Sequence, residues 1–423
     1  MAQQGTILAI RFVLLFSSEQ ALAKAKSPRL QLSQFGPIQS ADVSFGDLTV
    51  IVGPQATGKS IFLQTLKLLI DRDQIHDMFN HHSMSFGGNE DAFLDAFYGR
   101  GIAGGWSERS AISFDGKAWN LRDLARPSKS KTRYERLFYI PAQRVMSLPN
   151  GVSQNFGTFN FGDPYVLRSF SDAVHDLIQN DFATMRELFP APNRLNESLR
   201  EPIAEQLFGR TSLVVDDSEF TKRLALQVPG QEKPLGFLSW SAGQREFTPM
   251  LMGLYWLCTS KTKRKSGKTV NETIDWVVIE EPEMGLHPKG IQAVLLLVLE
   301  LLRRNYRVVL STHTPVVLEM VWALQELKKH QAGEASVRKL FDLKSVPYTK
   351  ELATSTLQKD FKVYYFDRNS SARDISNLDP MADAIEESEW GGVVGFASKA
   401  NAAVTNAVHA APGKQSRKKR DNH

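Results

Sequence analysis

The sequence predicts an α/β fold: a mixed sheet flanked by helices, with its chemistry placed at the ends of buried strands. Three observations carry this. An apolar run at 48–52 ends in a Gly-Pro turn and passes into a helical pattern at 61–70, with apolar residues at 62, 63, 66, 69 and 70. A second apolar run, 274–279, delivers two adjacent acids, Glu280 and Glu281. A third, 307–310, follows a helical pattern at 293–302 and leads into Ser311-Thr312-His313. Buried strands alternating with helices imply a sheet covered on both faces.

The remaining elements follow in order. Residues 111–121 read as a hairpin around Asp115-Gly116, and 137–140 as a buried strand stopped by Pro141. Residues 151–165, rich in Gly, Asn, Phe and Ser, read as a long loop. Its Phe156, Phe159, Phe161 and Tyr165 suit loop anchoring, or a surface for stacking on bases or docking a partner. Helical periodicity marks 166–210, without the sustained heptads of a coiled-coil arm. Residues 239–257 read as a loop entering a helix in which Pro249 should produce a bend, and 260–271 as a polar basic linker. A helix, a strand at 363–366 and a mixed tail close the chain.

Of the 423 residues, 42% are hydrophobic and 23% charged, enough for a sizeable core. The single Cys258 excludes a disulfide framework and a cysteine-rich zinc site, and places the chain in a reducing, cytoplasmic setting. His76, Asp77, His81 and His82 match no zinc spacing. The apolar stretch at 7–16 is interrupted by Arg11 and lacks a preceding cation, so it reads as a lead-in rather than an export signal. No other stretch has the length of a membrane span. The net charge of +5 is concentrated in two runs, Lys261, Lys263, Arg264, Lys265 and Lys268, then Lys414, Arg417, Lys418, Lys419 and Arg420; the remainder is slightly acidic. Such runs suit nucleic acid, or are solvated loops.

Gly53-Pro54-Gln55-Ala56-Thr57-Gly58-Lys59-Ser60 matches the P-loop pattern GxxxxGK[ST] in its required place between strand and helix. Glycines let the backbone wrap phosphates, N–H groups at the helix start point at them, Lys59 reaches the β- and γ-phosphates of ATP, and the Ser60 hydroxyl ligates Mg²⁺. At the end of the second strand Glu280 would complete the Mg²⁺ shell and Glu281 would polarise the attacking water. His313 can reach the γ-phosphate. Ser241, Gly243 and Gln244, in Ser239-Trp240-Ser241-Ala242-Gly243-Gln244-Arg245-Glu246, lie at a helix start, an anion-binding position.

This order of P-loop, SxGQ signature, Glu-Glu strand and switch histidine resembles the ABC ATPase superfamily. Glu281-Pro282-Glu283-Met284-Gly285-Leu286-His287-Pro288, followed by Ser311-Thr312-His313-Thr314-Pro315, is similar to the ATPase domains of the overcoming-lysogenization-defect (OLD) nuclease group and related stand-alone ATPases of phage defence. Phe35-Gly36-Pro37-Ile38 and Glu389-Trp390-Gly391-Gly392 suit the two ends of that ATPase, so the likeness covers roughly 28–400. It implies an ABC-type P-loop head with a mainly helical insert between P-loop and signature. The divisions are a lead-in (1–27), the first part of the head (28–145), the insert (146–235), the signature, Walker B and switch part (236–325), the end of the head (326–405) and a basic tail (406–423).

The resemblance further implies that Gln143 touches Mg²⁺ and the attacking water, and that the turn from Met284 to His287 crosses a dimer interface. Ser241 and Gly243 would meet the ATP of a second subunit in a head-to-tail homodimer or higher oligomer. A separate nuclease or toxin effector would be the partner, since the residues after His313 are too few for a further nuclease domain. Direct action on DNA in recombination or repair is the alternative. A transporter subunit is disfavoured by the atypical signature and the long interval between Lys59 and Ser239. The chain departs from the family in Gln55-Ala56, where Asn-Gly is usual, and in Glu280, where Asp is commoner.

Overall fold

The computed structural model describes residues 27–127, 134–182, 185–191, 195–217, 221–258, 273–369 and 371–379, together with 390, 400, 403 and 404. The strands are β1 (Arg29–Phe35), β2 (Ile38–Ser44), β3 (Leu48–Val52), β4 (Ala111–Phe114), β5 (Lys117–Trp119), β6 (Leu137–Ile140), β7 (Glu187–Phe189), β8 (Ser212–Asp216), β9 (Arg223–Gln227), β10 (Trp276–Glu280), β11 (Arg307–Thr312), β12 (Phe361–Phe366) and β13 (Ala372–Asp374). The helices are α1 (Lys59–His81), α2 (Glu90–Tyr98), α3 (Leu121–Leu124), α4 (Tyr165–Asp176), α5 (Glu197–Ile203), α6 (Ala242–Cys258), α7 (Pro288–Arg303), α8 (Pro315–Lys329), α9 (Glu334–Leu340) and α10 (Pro347–Gln358).

The central sheet has the order β13-β12-β3-β11-β10-β6. Its strands β12, β3, β11, β10 and β6 run parallel, and β13 adds antiparallel at one edge. Strands β3, β6 and β10 are buried at every position, which is why they read as unbroken apolar runs. Side-chain alternation divides each strand between two cores. Val50, Val52, Val277, Ile279, Val308 and Leu310 face a core shared with α6, α7 and α8. Ile51, Val278 and Val309 join a second core, with Phe62, Leu63 and Leu66 of α1 and the inner residues of β1 and β2. Helix α1 thus shares its core with both the central sheet and an antiparallel sheet of order β2-β1-β4-β5. Asp115 and Gly116, at φ 51° and 80°, make the expected hairpin turn between β4 and β5.

Register levels the carboxyl ends of the parallel strands. Val52 lies beside Thr312, Glu280 beside Ser311, and Ile279 beside Ile140. The P-loop, the paired acids, His313 and Gln143 therefore all leave the sheet at one end, where parallel sheets bind ligands.

Between β6 and α6, where a mainly helical insert is expected over 146–235, the described residues hold α4, α5 and short helical turns together with a three-stranded antiparallel sheet, β7-β8-β9. Those strands are three to five residues long, too short to stand out from the helical periodicity around them. Phe156 and Tyr165 are buried and in ring contact at 5.8 Å, with the Arg168 guanidinium 4.6 Å from the Phe156 ring centre, so both anchor the chain; Phe161 is exposed. Helix α6 continues through the buried Pro249. Cys258 is buried, and burial pushes its thiol up to about 12. His76 bonds to the Leu124 carbonyl at 2.8 Å and stacks on Phe93. Among the described residues no group of three or more His, Cys, Asp or Glu could hold a metal, and no helix is long and apolar enough to cross a membrane. The basic runs at 261–268 and 414–420, residues 1–26, and Glu389, Gly391 and Gly392 lie outside the described residues.

Candidate nucleotide-binding site

The P-loop owes its shape to close approaches. Gly53 has φ 151°, and a Cβ there would come within 2.2 Å of the Phe366 carbonyl oxygen. Gly58 has φ 89°, and a Cβ would meet Ile38 at 2.4 Å. Only glycine fits either position. Ala56 occupies the left-handed region at φ 64°, a conformation costing an L-residue about 1–2 kcal/mol; this is where the resemblance would put glycine. Thr57 Oγ1 donates to the Pro54 carbonyl at 3.0 Å, and Gln55 is exposed at the crest. Helix α1 starts at Lys59, so the free N–H groups of its first turn adjoin the loop. Lys59 is buried, with Nζ donating to the carbonyls of Gly53 at 2.9 Å and Pro54 at 2.6 Å. Burial lowers its pKa to about 8, against the opposing pull of Glu281 and Glu280.

Glu280 is buried at the end of β10. Its Oε2 accepts from the Ala142 N–H at 3.1 Å, while Oε1 is buried without a hydrogen-bond partner. Burial raises its pKa, which Ser60, the Ala142 N–H and Tyr139 draw back down. An unpaired, buried carboxylate oxygen beside the Ser60 hydroxyl suits a hard divalent cation such as Mg²⁺, which takes oxygen ligands. Gln143 follows Ala142 on the exposed turn that leaves β6, so the bond to Glu280 fixes the backbone next to it.

Glu281 has φ 44° and donates its N–H to the Ser311 carbonyl at 2.9 Å. Its carboxylate stands 3.3 Å from His313 Nε2. The hydrogen bond from His313 holds the acid below the usual carboxylate range, against partial burial. Glu281 is thus an ionised acceptor at the mouth of the site.

Two further residues, Arg144 and Glu283, brace this pair. Arg144 is fully buried. Its Nη1 donates to the Glu280 carbonyl at 2.9 Å, Nη2 to the Glu281 carbonyl at 3.0 Å, and Nε to the Glu246 carbonyl at 3.0 Å. Glu283 Oε1 accepts from Thr312 Oγ1 at 2.9 Å and from the His313 N–H at 2.6 Å. Both stand inside the strings that carry the family resemblance, but the sequence does not reveal these bracing contacts. The available signals were a cation directly behind Gln143 and a third acid two residues beyond Glu281.

The signature residues form a unit of their own. Ser241 Oγ accepts from the Gln244 N–H at 3.2 Å, and Gln244 Oε1 accepts from the Ser241 N–H at 3.0 Å, a reciprocal cap at the start of α6. Gly243 lies so close to the 282–287 turn that a Cβ would meet the Gly285 carbonyl at 2.8 Å. Ser241 is exposed, and the side-chain bonds of the cap stay within its own turn. The structure therefore groups Lys59, Ser60, Gln143, Glu280, Glu281 and His313 at one sheet end, and seats Gly243, between Ser241 and Gln244 in the cap, against the turn after Glu281.

Residues 155–319 match the family described as "AAA domain, putative AbiEii toxin, Type IV TA system". That stretch holds the signature, the paired acids and His313, but not the P-loop. No curated protein matches the chain. Among solved structures, similarity is found to an Smc head bound to the C-terminal winged-helix domain of ScpA, at 13% identity over 68% of this chain and 89% of that one, TM-score 0.35. The SMC head domain from Thermotoga maritima gives 14% over 70% and 92%, TM-score 0.30. A dimeric bacterial ABC transporter cassette gives 10% over 82% and 97%, TM-score 0.32. At these values the assignment rests on strand order and on the motifs at the strand ends. By both, the chain has an α/β fold with a P-loop at the end of a parallel strand, like that of P-loop ATPases of the ABC type.

Proposed function

We propose that the chain is a Mg²⁺-dependent ATPase that closes as a head-to-tail homodimer around ATP, and that its cycle controls a separate effector, a nuclease or toxin, in cytoplasmic anti-phage defence. The observation that carries the ATPase reading is the grouping of Lys59, Ser60, Glu280, Glu281 and His313 at one end of the parallel strands. Lys59 and the N–H groups of the 53–60 loop, Pro54 apart, bind the β- and γ-phosphates. Ser60, Glu280 and Gln143 are the ligands available to Mg²⁺, which supplies charge neutralisation when bound. Glu281, kept ionised by His313, accepts a hydrogen bond from the attacking water and orients it. Ser241, Gly243 and Gln244 serve the ATP of the partner subunit. The exposure of Ser241 and the closure of its cap within its own turn support that division. The effector reading draws on the likeness to OLD-type and stand-alone defence ATPases and on the toxin–antitoxin description of the matched family.

The test uses three variants. Glu281→Gln should keep ATP binding, accumulate the ATP-bound dimer and lose turnover by about 10²–10⁴-fold. Lys59→Ala and Ser241→Arg should each be inactive, and their mixture should regain activity, because one site then combines an intact Lys59 with an intact Ser241. Undiminished hydrolysis in either variant alone would overturn the composite site. Co-purification identifies the effector.

A second reading, direct action on DNA, is favoured by the basic run at 261–268. Replacing its five cations with Ser should then flatten the log–log salt dependence of duplex binding by about 0.9 for each phosphate no longer neutralised; an unchanged slope would remove the run from any DNA interface.

A further inference from the structure

A single guanidinium joins the helix that opens with the signature to the strand end that carries Glu281. Arg144 donates to the carbonyls of Glu246, Glu280 and Glu281, with a longer contact to Pro141 at 3.4 Å. Four carboxylates, those of Glu246, Glu283, Glu281 and Glu280, act on its charge, yet each of these hydrogen bonds goes to main chain. The side chain therefore registers the position of backbone in three separate segments, and not the identity of an acidic partner.

Burying an arginine is costly unless its donors are satisfied. A hydrophobe would fill the space at less cost, so packing alone does not account for this one. The backbone it grips is also unusual. Glu281 sits at φ 44°, a strained conformation that persists only where the surroundings over-determine it. The Ser311 carbonyl fixes its N–H, and Arg144 fixes its carbonyl. At the other end of the fork, Glu246 lies in the opening turns of α6, close behind Ser241. A guanidinium is rigid and planar. If α6 shifts, the Glu246 carbonyl moves with it, and either the 280–281 backbone follows or hydrogen bonds break.

We propose that Arg144 is a positioning residue that couples the signature helix to the catalytic glutamate of the same subunit. This rests on the ATPase reading above. When the signature seats on a partner's ATP, the displacement of α6 is transmitted through Arg144 to the carbonyls of residues 280 and 281, and so to the aim of the Glu281 carboxylate. Contact at one ATP is thereby relayed to the water-orienting group at the other.

The experiment uses the full chain with ATP and Mg²⁺, and runs wild type, Glu281→Gln and Arg144→Lys side by side. Lysine keeps the charge but has no fork to span three carbonyls. Turnover should fall at least about tenfold, since small misplacements of reacting groups are expensive. ATP affinity should stay within about threefold of wild type, and the ATP-bound dimer should form and persist as it does for Glu281→Gln. Wild-type turnover would overturn the coupling. So would a parallel loss of affinity, dimer formation and turnover, which marks a merely structural role. If Arg144→Lys does not fold, Arg144→Met, which keeps the stem volume and buries no charge, carries the same expectation. Failure of both to fold assigns Arg144 to stability and overturns the proposal. A wild type that neither hydrolyses ATP nor dimerises with it identifies the ATPase reading as the part that failed.

Discussion

Lys59 and Lys67 lie about two turns apart on α1 and are both buried, yet their surroundings treat them oppositely. Lys67 donates to Asp71 at 2.7 Å, to Glu135 at 2.6 Å and to the Leu137 carbonyl at 2.6 Å, using all three ammonium protons. Asp71 in turn accepts from the N–H groups of Arg136 and Leu137. Burial alone would lower the Lys67 pKa, but Asp71 and Glu135 raise it instead. This cluster ties α1 to the amino end of β6. At the opposite end of the sheet, Lys59 donates only to loop carbonyls, and its pKa falls. Nearby, Glu280 Oε1, Glu283 Oε2 and Glu246 Oε2 are buried without hydrogen bonds. A saturated charge cluster has its capacity used up in holding the fold. One with capacity to spare is prepared for something that arrives later.

The largest effect should come from breaking the saturated cluster. Lys67→Met leaves Asp71 buried without its cation and should cost about 3–5 kcal/mol of folding stability, read as a lower denaturation midpoint at unchanged m-value. A loss below about 1 kcal/mol would mean that the cluster is not structural.

At the unsaturated end the sign should reverse. Glu280→Gln removes a buried carboxylate with one orphaned oxygen, so the metal-free protein should gain up to about 1 kcal/mol, while Mg²⁺-dependent turnover is lost. Thermal melting with and without Mg²⁺ checks this. Destabilisation by several kcal/mol would show that Glu280 braces the sheet as Lys67 does.

The smallest effect is a pH dependence. The Lys59 pKa of about 8 lies below its ordinary value of 10.5. Above pH 8 the folded protein loses the ammonium while an unfolded chain keeps it. Nucleotide-free stability should therefore rise between pH 8 and 10.5, and ATP affinity should fall across the same window. Calorimetric titrations should show log affinity declining with pH above 8. A flat profile in the wild type would break the contrast between the two lysines.

What the sequence disclosed was what is local or periodic. The strand–loop–helix around Lys59, the acids closing an apolar run and the Asp115-Gly116 turn each occupy a short window whose residue types serve one backbone geometry. What it concealed is what the fold assembles at a distance. Arg144 meets Glu246 and Glu281, and Lys67 meets Glu135, across long stretches of chain. No local pattern distinguishes a surface cation from one that will be buried among carbonyls. The β7-β8-β9 sheet was hidden for a different reason: its strands are shorter than the window over which a period of two can be told from one of 3.6.

The close approach of the Phe366 carbonyl to Gly53 makes the shape of the phosphate loop depend on β12, the last parallel strand among the described residues. Both neighbours of β3 in the sheet, β11 and β12, come later in the chain. While a nascent chain is still emerging from the ribosome, β3 has neither partner, and the wall that shapes Gly53 does not yet exist. The close approach that confines Gly53 is thus completed only when synthesis has passed β12.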